Sequence, residues 1–549
     1  MTARTPGAAP APPAVPAGGS ATARLARSAG VMSAATLVSR LLGLVRDQVL
    51  AYLFGAGNAM DAFNVAARIP NLLRELFAEG AMSAAFVPTF MRRLTRDGRA
   101  EAWRLGNQLL NALAVVTGAL VVAGIAFAEP LVRLLAGSYA EVPGKLELTV
   151  LLTRILLPFL TLVAVAAALM GMLNSLNRFF VPALSPAMYN VGIIASGALL
   201  VPLMPGLGLD PIVGIAIGAL LGALGQVALQ VPTLRREGFR YRAILDPYDA
   251  GLRHMLRLMG PGTLAGAAVQ INLLVNTVLA TGQGTGAVTW LRFAFQLMYL
   301  PIGLFGVSIA AATLPVVSRH AAREELDGIR DAVSRALRLM LAVNVPATVG
   351  LMVLGAPIVQ LLLERGAFTP ADTGATAAAL VFYAPGLAGY SAVRIAVPCF
   401  YALGTSLAPA CVSMSAVALN LVLNVILVQI MGYRGLALGT SIVALVNAVI
   451  LLALLRRRLH GLDLPRVLLV LGKVAVASAA MGAAAWMTHA RLIDAWDGAG
   501  LVDRLARLSA SITAGVLVLA AAARLLRIGE LEQVGRQVLT RLGRKPAAR

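Results

Sequence analysis

Apolar segments long enough to cross a lipid bilayer recur along the whole of this 549-residue chain. A helix needs about 20 apolar residues to span the hydrocarbon core, and fourteen segments meet that requirement. They cover residues 31–54, 61–91, 105–128, 148–173, 182–202, 211–233, 258–280, 288–315, 336–356, 376–403, 407–431, 435–455, 467–489 and 505–526. Only 13% of the residues are charged, whereas soluble domains have about 25%. The sequence therefore predicts an all-α polytopic membrane protein with about fourteen transmembrane helices.

Known motifs for ATP hydrolysis and metal chemistry do not occur in the sequence. There is no GxxxxGK[ST] or HExxH motif, the four histidines are scattered, and the two cysteines form no CxxC pair. These observations argue against an ATP-driven pump and a metallohydrolase, so we expect neither enzymatic activity nor a cofactor. The Pro/Ala/Gly-rich N-terminus lacks the apolar core of a signal peptide, and we predict a disordered cytoplasmic tail over residues 1–27.

The net charge of +21 has a topological explanation. Of the 46 lysines and arginines, 31 fall in the tails and loops on one side of the predicted membrane, seven on the other side, and eight within spans. Basic residues concentrate on the cytoplasmic side of membrane proteins, which predicts that both termini are cytoplasmic. Anionic lipid headgroups are then the partner of the basic loops, and nucleic acid is not needed to explain the charge.

An internal repeat appears when the sequence is aligned with itself so that Gly282 falls on Gly55. At this constant offset the segments FGAG and TGQG, at residues 54–57 and 281–284, coincide, and EPLVRLL at 129–135 meets APIVQLL at 356–362. Each repeat holds six spans, so both have the same orientation and are related by a pseudo-two-fold axis along the membrane normal. We predict an N-lobe over residues 28–236, a C-lobe over 237–459, two further spans over 460–528 and a basic cytoplasmic tail over 529–549.

Charged residues interrupt the first two spans, although each costs at least about 2.5 kcal/mol at the bilayer centre. These positions are Arg40, Arg46, Asp47, Asp61, Arg68, Arg74, Glu75 and Glu79. The corresponding residues of the second repeat include Ala267, Leu273, Val288 and Phe295, none of which is charged. The second repeat contributes Arg292 in the predicted eighth span.

Two interpretations of these charges remain open. Arg40 or Arg46 could pair with Asp47 or Asp61 and lock two helices together. Alternatively, the arginines could line a cavity between the lobes and bind an anionic cargo. The surplus of arginine favours the second interpretation, and its planar donor fork suits phosphate. Gly43, Gly55, Gly57, Pro70 and Gly80 are candidate hinges or packing sites.

The segment 39–90, SRLLGLVRDQVLAYLFGAGNAMDAFNVAARIPNLLRELFAEGAMSAAFVPTF, resembles the N-terminal signature of the MurJ/MviN family. The segments NSLNRFFVPALSP at 174–186 and LPIGLFGVSIAAATLP at 300–315 are also similar to that family. These proteins are bacterial lipid II flippases of the multidrug/oligosaccharidyl-lipid/polysaccharide exporter superfamily. The resemblance implies a bacterial inner-membrane transporter for peptidoglycan and cell-wall biogenesis, with lipid II as its partner.

The resemblance also implies roles for particular residues. Arg40 and Arg46 would be cavity arginines of the family, and Asp47, Asp61, Arg74 and Glu79 match its charged motif positions. Together with Arg68 and Arg292, which the charge pattern adds, they are the candidate substrate-binding residues. In the eighth span many members have an arginine where this chain has Gln296, and we expect Arg292, one turn earlier, to replace it. A family cation site would fall on Asn276, Asn420, Asn424 and Thr440. Neutral amides are weak cation ligands, so interhelical hydrogen bonding is the favoured role for these four residues.

The implied transport mechanism is alternating access. The cationic cavity would take the diphosphate and the sugar–peptide head from the inner leaflet, while the last two spans, with Lys473 near one end, form a groove for the polyprenyl tail. Three alternatives remain: another polyprenyl-diphosphate-linked oligosaccharide as cargo, a cationic drug, and a membrane scaffold without transport activity. Other cell-wall synthesis proteins are possible partners.

Overall fold

The computed structural model of the chain describes residues 19–77, 81–246, 248–405, 407–495, 498 and 500–541, and within these ranges every regular element is a helix. The N-lobe contains α1 (Gly19–Phe54), α2 (Asn58–Phe77), α3 (Ala81–Arg96), α4 (Arg99–Ala126), α5 (Ala128–Ala136), α6 (Lys145–Leu156), α7 (Phe159–Ser175), α8 (Phe180–Leu184), α9 (Ala187–Leu199) and α10 (Ile212–Arg236). The C-lobe contains α11 (Ala250–Thr281), α12 (Ala287–Pro301), α13 (Val307–Ala322), α14 (Leu326–Val353), α15 (Gly355–Leu363), α16 (Pro370–Tyr383), α17 (Gly386–Ala402), α18 (Leu407–Met431) and α19 (Tyr433–Arg458). The chain then continues with α20 (Leu464–Ala495), α21 (Leu501–Leu525) and α22 (Gly529–Arg541).

A helix or a pair of consecutive helices lies at each of the fourteen predicted segments. Among the described residues, nine helices are long and apolar enough to cross a membrane, or ten if α16 and α17, which meet at a 45° bend, form one span. The predicted first, second, seventh and eighth segments do not meet this criterion. They contain α1, α2, α11 and α12. The all-α membrane architecture is therefore confirmed, whereas the count of fourteen spans stays a prediction.

The internal repeat is visible in the helix boundaries. Helices α4 and α14 begin at Arg99 and Leu326 and end at Ala126 and Val353, so one offset separates both pairs of ends. It is the offset that places Gly282 on Gly55, and it also relates both ends of α5 to α15 and of α7 to α17. Equal spacing at turns and breaks means that the two lobes repeat one helical arrangement, with the last helices added after the repeat.

Apolar packing both builds the lobes and joins them. One buried cluster, which includes Phe86 and Leu105, lies mainly in the N-lobe and also takes in Leu252 at the start of α11. Another, which includes Leu337 and Ile395, belongs to the C-lobe. The largest cluster contains residues of α1, α2, α9 and α10 together with residues of α12 and α16. Ala342 of α14 packs in a further cluster with residues of α20, which attaches the added helices to the C-lobe.

Both predicted terminal tails contain helix. Helix α1 begins at Gly19, inside the range predicted to be disordered, because the segment 19–30 is rich in Ala and Arg, which are good helix formers. The predicted tail over residues 529–549 contains α22, whose Glu530 forms an ion pair of 2.9 Å with Arg338 of α14. The predicted tails are thus partly helical, and residues 1–18 and 542–549 lie outside the described ranges.

Helix α11 begins in a capped, ion-paired turn. The Asp249 carboxylate accepts hydrogen bonds from the backbone N–H groups of Gly251 and Leu252, and it lies 3.0 Å from Arg93 of α3. Burial raises the pKa of Asp249, but the Leu252 N–H group and the Arg93 guanidinium outweigh burial, so the net pKa lies below its usual value. The ionised carboxylate therefore joins the start of the C-lobe to the N-lobe.

Helices α9 and α10 approach each other through glycine. A Cβ atom added to Gly222 would lie 2.7 Å from the Cα atom of Tyr189 and 2.8 Å from the carbonyl oxygen of Met188, both backbone atoms. We expect Gly222→Val to destabilise the protein by about 1–3 kcal/mol because the two backbones must separate. The test is thermal unfolding of the purified protein in detergent. Gly118→Val is the matched control, since a Cβ atom there has no neighbour within 4 Å; equal melting temperatures would contradict the prediction.

Candidate functional site

A cavity of about 1350 Å³ lies between the two lobes. Its walls come from α1, α2, α7, α9 and α10 of the N-lobe and from α11, α12, α16, α17, α18 and α19 of the C-lobe. The charged residues that line it are Arg46, Arg68, Arg74, Arg292 and Glu75. Among the described residues, four arginines face one glutamate there, so this part of the cavity has the charge needed to attract an anion.

Asp47 joins the lobes at the cavity. Its Oδ1 atom accepts hydrogen bonds from Arg46 Nε and Nη2 at 3.1 and 2.8 Å, and from Arg292 Nη2 at 3.2 Å. Gln296 Nε2 donates to the other carboxylate oxygen. Arg292 and Gln296 are four residues apart on α12 and therefore share one face of that helix. The Asp47 carboxylate of the N-lobe thus accepts hydrogen bonds from two side chains of the C-lobe and from one side chain of its own helix.

Arg46 and Arg292 are more exposed to the cavity than the Asp47 carboxylate that they share. The side chain of Asp47 is 3% exposed, whereas those of Arg46 and Arg292 are 15% and 30% exposed and line the cavity. Because two guanidinium groups share one carboxylate, the group keeps an excess positive charge that faces the cavity. Charge-assisted donors of this kind bind phosphate oxygens strongly.

Neutral side chains orient both guanidinium groups. Asn190 of α9 accepts from Arg46 Nη1 at 3.0 Å, and Asn64 of α2 accepts from Arg292 Nη1 at 2.9 Å. The guanidinium carbon of Arg46 also lies 5.6 Å from the centre of the Tyr189 ring. Sequence reasoning did not single out these three residues. The signal that could have identified the two amides is their position within otherwise apolar membrane segments.

The other predicted arginines have different surroundings. Arg68 and Arg74 line the cavity; a nitrogen of Arg74 lies 3.7 Å from Glu75, and the Nε atom of Arg68 is buried without a hydrogen-bond partner in the described part of the chain. Glu75 accepts a hydrogen bond from Gln270 of α11, which is a further contact between lobes. Glu79 lies outside the described residues.

Arg40 is not part of the cavity lining. Its guanidinium lies against Gly303, in the short π-helix Ile302–Gly306 that follows α12, so closely that a Cβ atom on Gly303 would overlap it. Arg40 and Asp47 share a face of α1 by helical geometry, and Asp47 also points to α12 instead of into the cavity. The expectation that Arg40 and Arg46 line one wall is therefore corrected for Arg40, because its exposed side chain lies against Gly303 of the C-lobe, outside the cavity lining.

Asp61 is also absent from the cavity lining. It is fully buried and forms an ion pair of 3.1 Å with Lys145 of α6. Its oxygens also accept from the backbone N–H groups of Gly286 and Thr289 and from the Thr289 hydroxyl, at 2.7, 3.2 and 2.7 Å. A carboxylate at these N–H groups stabilises the start of α12. Asp61 therefore holds the lobes together, and its expected place among substrate-binding residues is corrected.

The four candidate cation ligands contain an amide cluster. The Asn424 side-chain nitrogen donates to Asn276 Oδ1 at 2.6 Å and to Asn420 Oδ1 at 2.8 Å. Thr440 donates to the Leu436 carbonyl oxygen at 2.8 Å. The Oδ1 atoms of Asn276 and Asn420 are used in these bonds, Asn424 Oδ1 is buried without a partner among the described residues, and none of the four residues is charged. A neutral set of this kind is a weak site for a lone cation. Its bonds join α11 to α18, and among the described residues there is no His/Cys/Asp/Glu group that could hold a metal ion.

The fold and the cavity define a class: a two-lobe membrane transporter. A solved structure described as "Lipid II flippase MurJ, inward closed conformation" aligns with a TM-score of 0.73 and 26% sequence identity, over 90% of this chain and 99% of that chain. An inward-facing multidrug resistance MATE family transporter of the MOP superfamily aligns with a TM-score of 0.65 over 78% of this chain and 98% of that one. At 17% identity, the second likeness supports the fold alone.

Sequence comparison identifies the family. The family described as "Lipid II flippase MurJ" matches residues 50–506. The probable lipid II flippase MurJ of Vibrio cholerae is 36% identical over 446 residues, which cover 80% of this chain and 83% of the relative. The corresponding protein of Bdellovibrio bacteriovorus is 34% identical over 460 residues, covering 83% and 87%. The chain belongs to the lipid II flippase MurJ family.

The buried pair of Asp61 and Lys145 can be tested by a double-mutant cycle. We expect Lys145→Met to lower the free energy of unfolding by about 3–5 kcal/mol, because it leaves a buried carboxylate without its cation. In the Lys145→Met protein, the second substitution Asp61→Asn should restore most of the lost stability. The neutral amide leaves no unpaired charge, and its oxygen can still accept hydrogen bonds from the N–H groups of α12. The exposed pair of Arg133 and Glu129 supplies the control Arg133→Met, with an expected effect below about 1 kcal/mol. Additive effects at Asp61 and Lys145 would contradict the coupling.

Proposed function

We propose that this protein moves lipid II, the undecaprenyl-diphosphate-linked peptidoglycan precursor, from the inner to the outer leaflet of the bacterial cytoplasmic membrane. The observation that carries the proposal is the pair of cavity arginines, Arg46 and Arg292, which come from different lobes and share the Asp47 carboxylate. Membership of the family supports the same cargo, since its relatives are described as lipid II flippases.

The diphosphate is the part of the cargo that matches this pair. It carries oxygens on two adjacent phosphorus atoms and can accept from both guanidinium groups at once. Arginine keeps its charge at any physiological pH and presents paired donors in a fixed geometry. Arg68 and Arg74 supply further positive charge on the N-lobe wall. We assign diphosphate binding to Arg46 and Arg292, with Arg68 and Arg74 stabilising the anionic head.

Arg292 takes the role of the family arginine that this sequence lacks at Gln296. Its guanidinium lines the cavity and reaches both Asp47 and Asn64. Gln296 binds the second oxygen of Asp47 and so keeps the carboxylate in place behind the arginines. With arginine at position 292 and glutamine at position 296, α12 supplies one cation and one neutral hydrogen-bond donor to the site.

Transport by alternating access requires the lobes to separate where they now meet. Near the starts of α2 and α12 the lobes are joined by Asp61, by Asn64 with Thr289, and by Asn58 with Thr285. Cargo binding at Arg46 and Arg292 competes with Asp47 for their N–H groups and so weakens the contact between α1 and α12. The lobes then rock around the cargo, and the two appended helices α20 and α21 provide a groove for the polyprenyl tail.

The membrane potential supplies a driving force for this cycle. Moving an anionic head outward across an inside-negative membrane is favourable by about 2.3 kcal/mol per charge per 100 mV. The orientation that this requires, with both termini cytoplasmic, follows from the excess of basic residues on one side. Anionic headgroups at that surface would bind the same basic loops.

Another polyprenyl-diphosphate-linked oligosaccharide is the second candidate cargo, because its diphosphate would contact Arg46 and Arg292 in the same way. A cationic drug fits poorly in a cavity whose described lining has four arginines and one glutamate. A scaffold without transport activity has no need for an excess of arginine around a cavity at the membrane interior, where the cost of charge is high.

Complementation tests the proposed cargo. A bacterium depleted of its own lipid II flippase should grow when it expresses this chain, and should fail with Arg46→Ala or Arg292→Ala, because each variant removes a guanidinium from the diphosphate site. Arg154→Ala is the matched control: Arg154 is exposed on α6 and does not line the cavity. Membrane levels of all variants are measured by immunoblot.

The outcomes separate the cargo from the site. Rescue by the wild type and by Arg154→Ala, without rescue by the two cavity variants, supports the proposal. Equal rescue by all variants would contradict the role of the arginines. Failure of a well-expressed wild type to rescue would contradict lipid II as the cargo and favour another lipid-linked oligosaccharide.

A further inference from the structure

Four aromatic rings of the C-lobe line the cavity beside the arginine pair. They are Phe295 and Tyr299 of α12, Tyr383 of α16 and Tyr390 of α17, and we call them the aromatic wall. The centre of the Phe295 ring lies 5.6 Å from that of Tyr299, 5.4 Å from that of Tyr383 and 6.1 Å from that of Tyr390. The rings therefore form one continuous surface instead of separate contacts.

The hydroxyl groups of this wall are available to a ligand. In the described part of the chain, no protein group hydrogen-bonds to the hydroxyl of Tyr383 or Tyr390. Tyr299 differs, since its hydroxyl accepts from Arg394, whose guanidinium carbon lies 5.6 Å from the Tyr299 ring centre. Neither hydroxyl oxygen is among the buried atoms that lack a partner, so both are accessible from the cavity. Packing alone would favour phenylalanine at these positions.

An unused amide group occurs on the same side of the cavity. Asn447 of α19 lines the cavity, and its Oδ1 atom is buried without a hydrogen-bond partner among the described residues. A binding site typically combines an apolar, aromatic lining with a few polar groups that fix the orientation of the ligand. Aromatic faces beside tyrosine hydroxyls and an amide oxygen suit a ligand that has both C–H faces and hydroxyl groups, as a pyranose does.

The wall is correctly placed for a sugar attached to a diphosphate. Arg292, Phe295 and Tyr299 lie at positions i, i+3 and i+7 of α12 and so share one face, over about 10 Å of helix. A diphosphate held by Arg292 would place the sugar bonded to it one to two turns along that face. A second cation is an unsuitable occupant, because Arg394 already lies over the Tyr299 ring and Arg292 lies one turn before Phe295.

We propose that the aromatic wall is a sugar-binding subsite, which stacks on the pyranose rings of the lipid-linked head while Tyr383, Tyr390 and Asn447 hydrogen-bond to its hydroxyl and N-acetyl groups. This inference rests on the proposed function and adds the part of the head that the arginines do not recognise. The arginine pair then binds any polyprenyl diphosphate, and the wall distinguishes a glycosylated lipid from a bare one.

Binding of two lipids to the purified full-length protein in nanodiscs tests the subsite. The probes are undecaprenyl diphosphate, which has no sugar, and lipid II, which has two. We expect Tyr390→Leu and Phe295→Leu to weaken lipid II binding by about tenfold and to leave undecaprenyl diphosphate binding within about twofold. Arg292→Gln should weaken both lipids, because it acts on the diphosphate.

Two further variants guard against a general loss of structure. Tyr390→Phe keeps the ring, so its effect on lipid II should be smaller than that of Tyr390→Leu. Tyr401→Leu changes an exposed tyrosine outside the cavity, at 58% exposure, and should bind both lipids like the wild type. Unchanged lipid II binding in Tyr390→Leu and Phe295→Leu, or an equal loss for both lipids, would overturn the sugar subsite.

The wild type separates this inference from the function on which it rests. If it binds lipid II no more tightly than undecaprenyl diphosphate, the sugar subsite is overturned while the diphosphate site stands. If it binds neither lipid, the proposed function is overturned and the subsite with it.

Discussion

The contact between the lobes at the cavity depends on one buried carboxylate. Asp47 lies within an apolar helix, and a buried anion in the membrane is tolerated only when it is paired and hydrogen-bonded. Here Arg46, Arg292 and Gln296 satisfy both oxygens. The same bonds fix the two guanidinium groups at the cavity and tie α1 to α12. A contact that stabilises the closed lobes is thus made of the groups that an anionic cargo would compete for.

The two lobes use one arrangement of helices for different chemistry. In the repeat alignment Phe295 falls on Arg68 and Leu273 falls on Arg46, and all four residues line the cavity. The repeat therefore places equivalent positions at the central space, and sequence divergence concentrates arginine on the N-lobe wall, while the C-lobe wall combines Arg292 with an aromatic surface. A head that is charged at one end and carries sugars at the other matches this division.

Hydropathy and the repeat predicted most of the fold, because helix length and turn position are encoded locally. Helices occupy the predicted segments, and the offset of the sequence repeat reappears in the bounds of α4 and α14. The cavity positions of Arg46, Arg74 and Arg292 also agree with the excess of arginine within spans. These features require only the sequence pattern and the expense of charge in a membrane.

Pairing between distant side chains could not be predicted in this way. Lys145 lies between the predicted third and fourth spans, as a loop residue would, yet its side chain is 1% exposed and binds Asp61, which lies 84 residues earlier. Arg40 shares a helical face with Asp47, but its exposed side chain lies against Gly303 of the C-lobe. Helical periodicity gives the direction of a side chain relative to its own helix. It does not say which neighbouring helix the side chain meets. That neighbour decides whether a charged residue pairs with another helix or lines the cavity.

The most direct test is a cryo-electron microscopy structure of the protein in nanodiscs with bound lipid II. The account predicts that the diphosphate lies between the lobes, within hydrogen-bond distance of the guanidinium groups of both Arg46 and Arg292. A head bound outside the cavity, with the two arginines still sharing Asp47 and making no contact with phosphate, would contradict it.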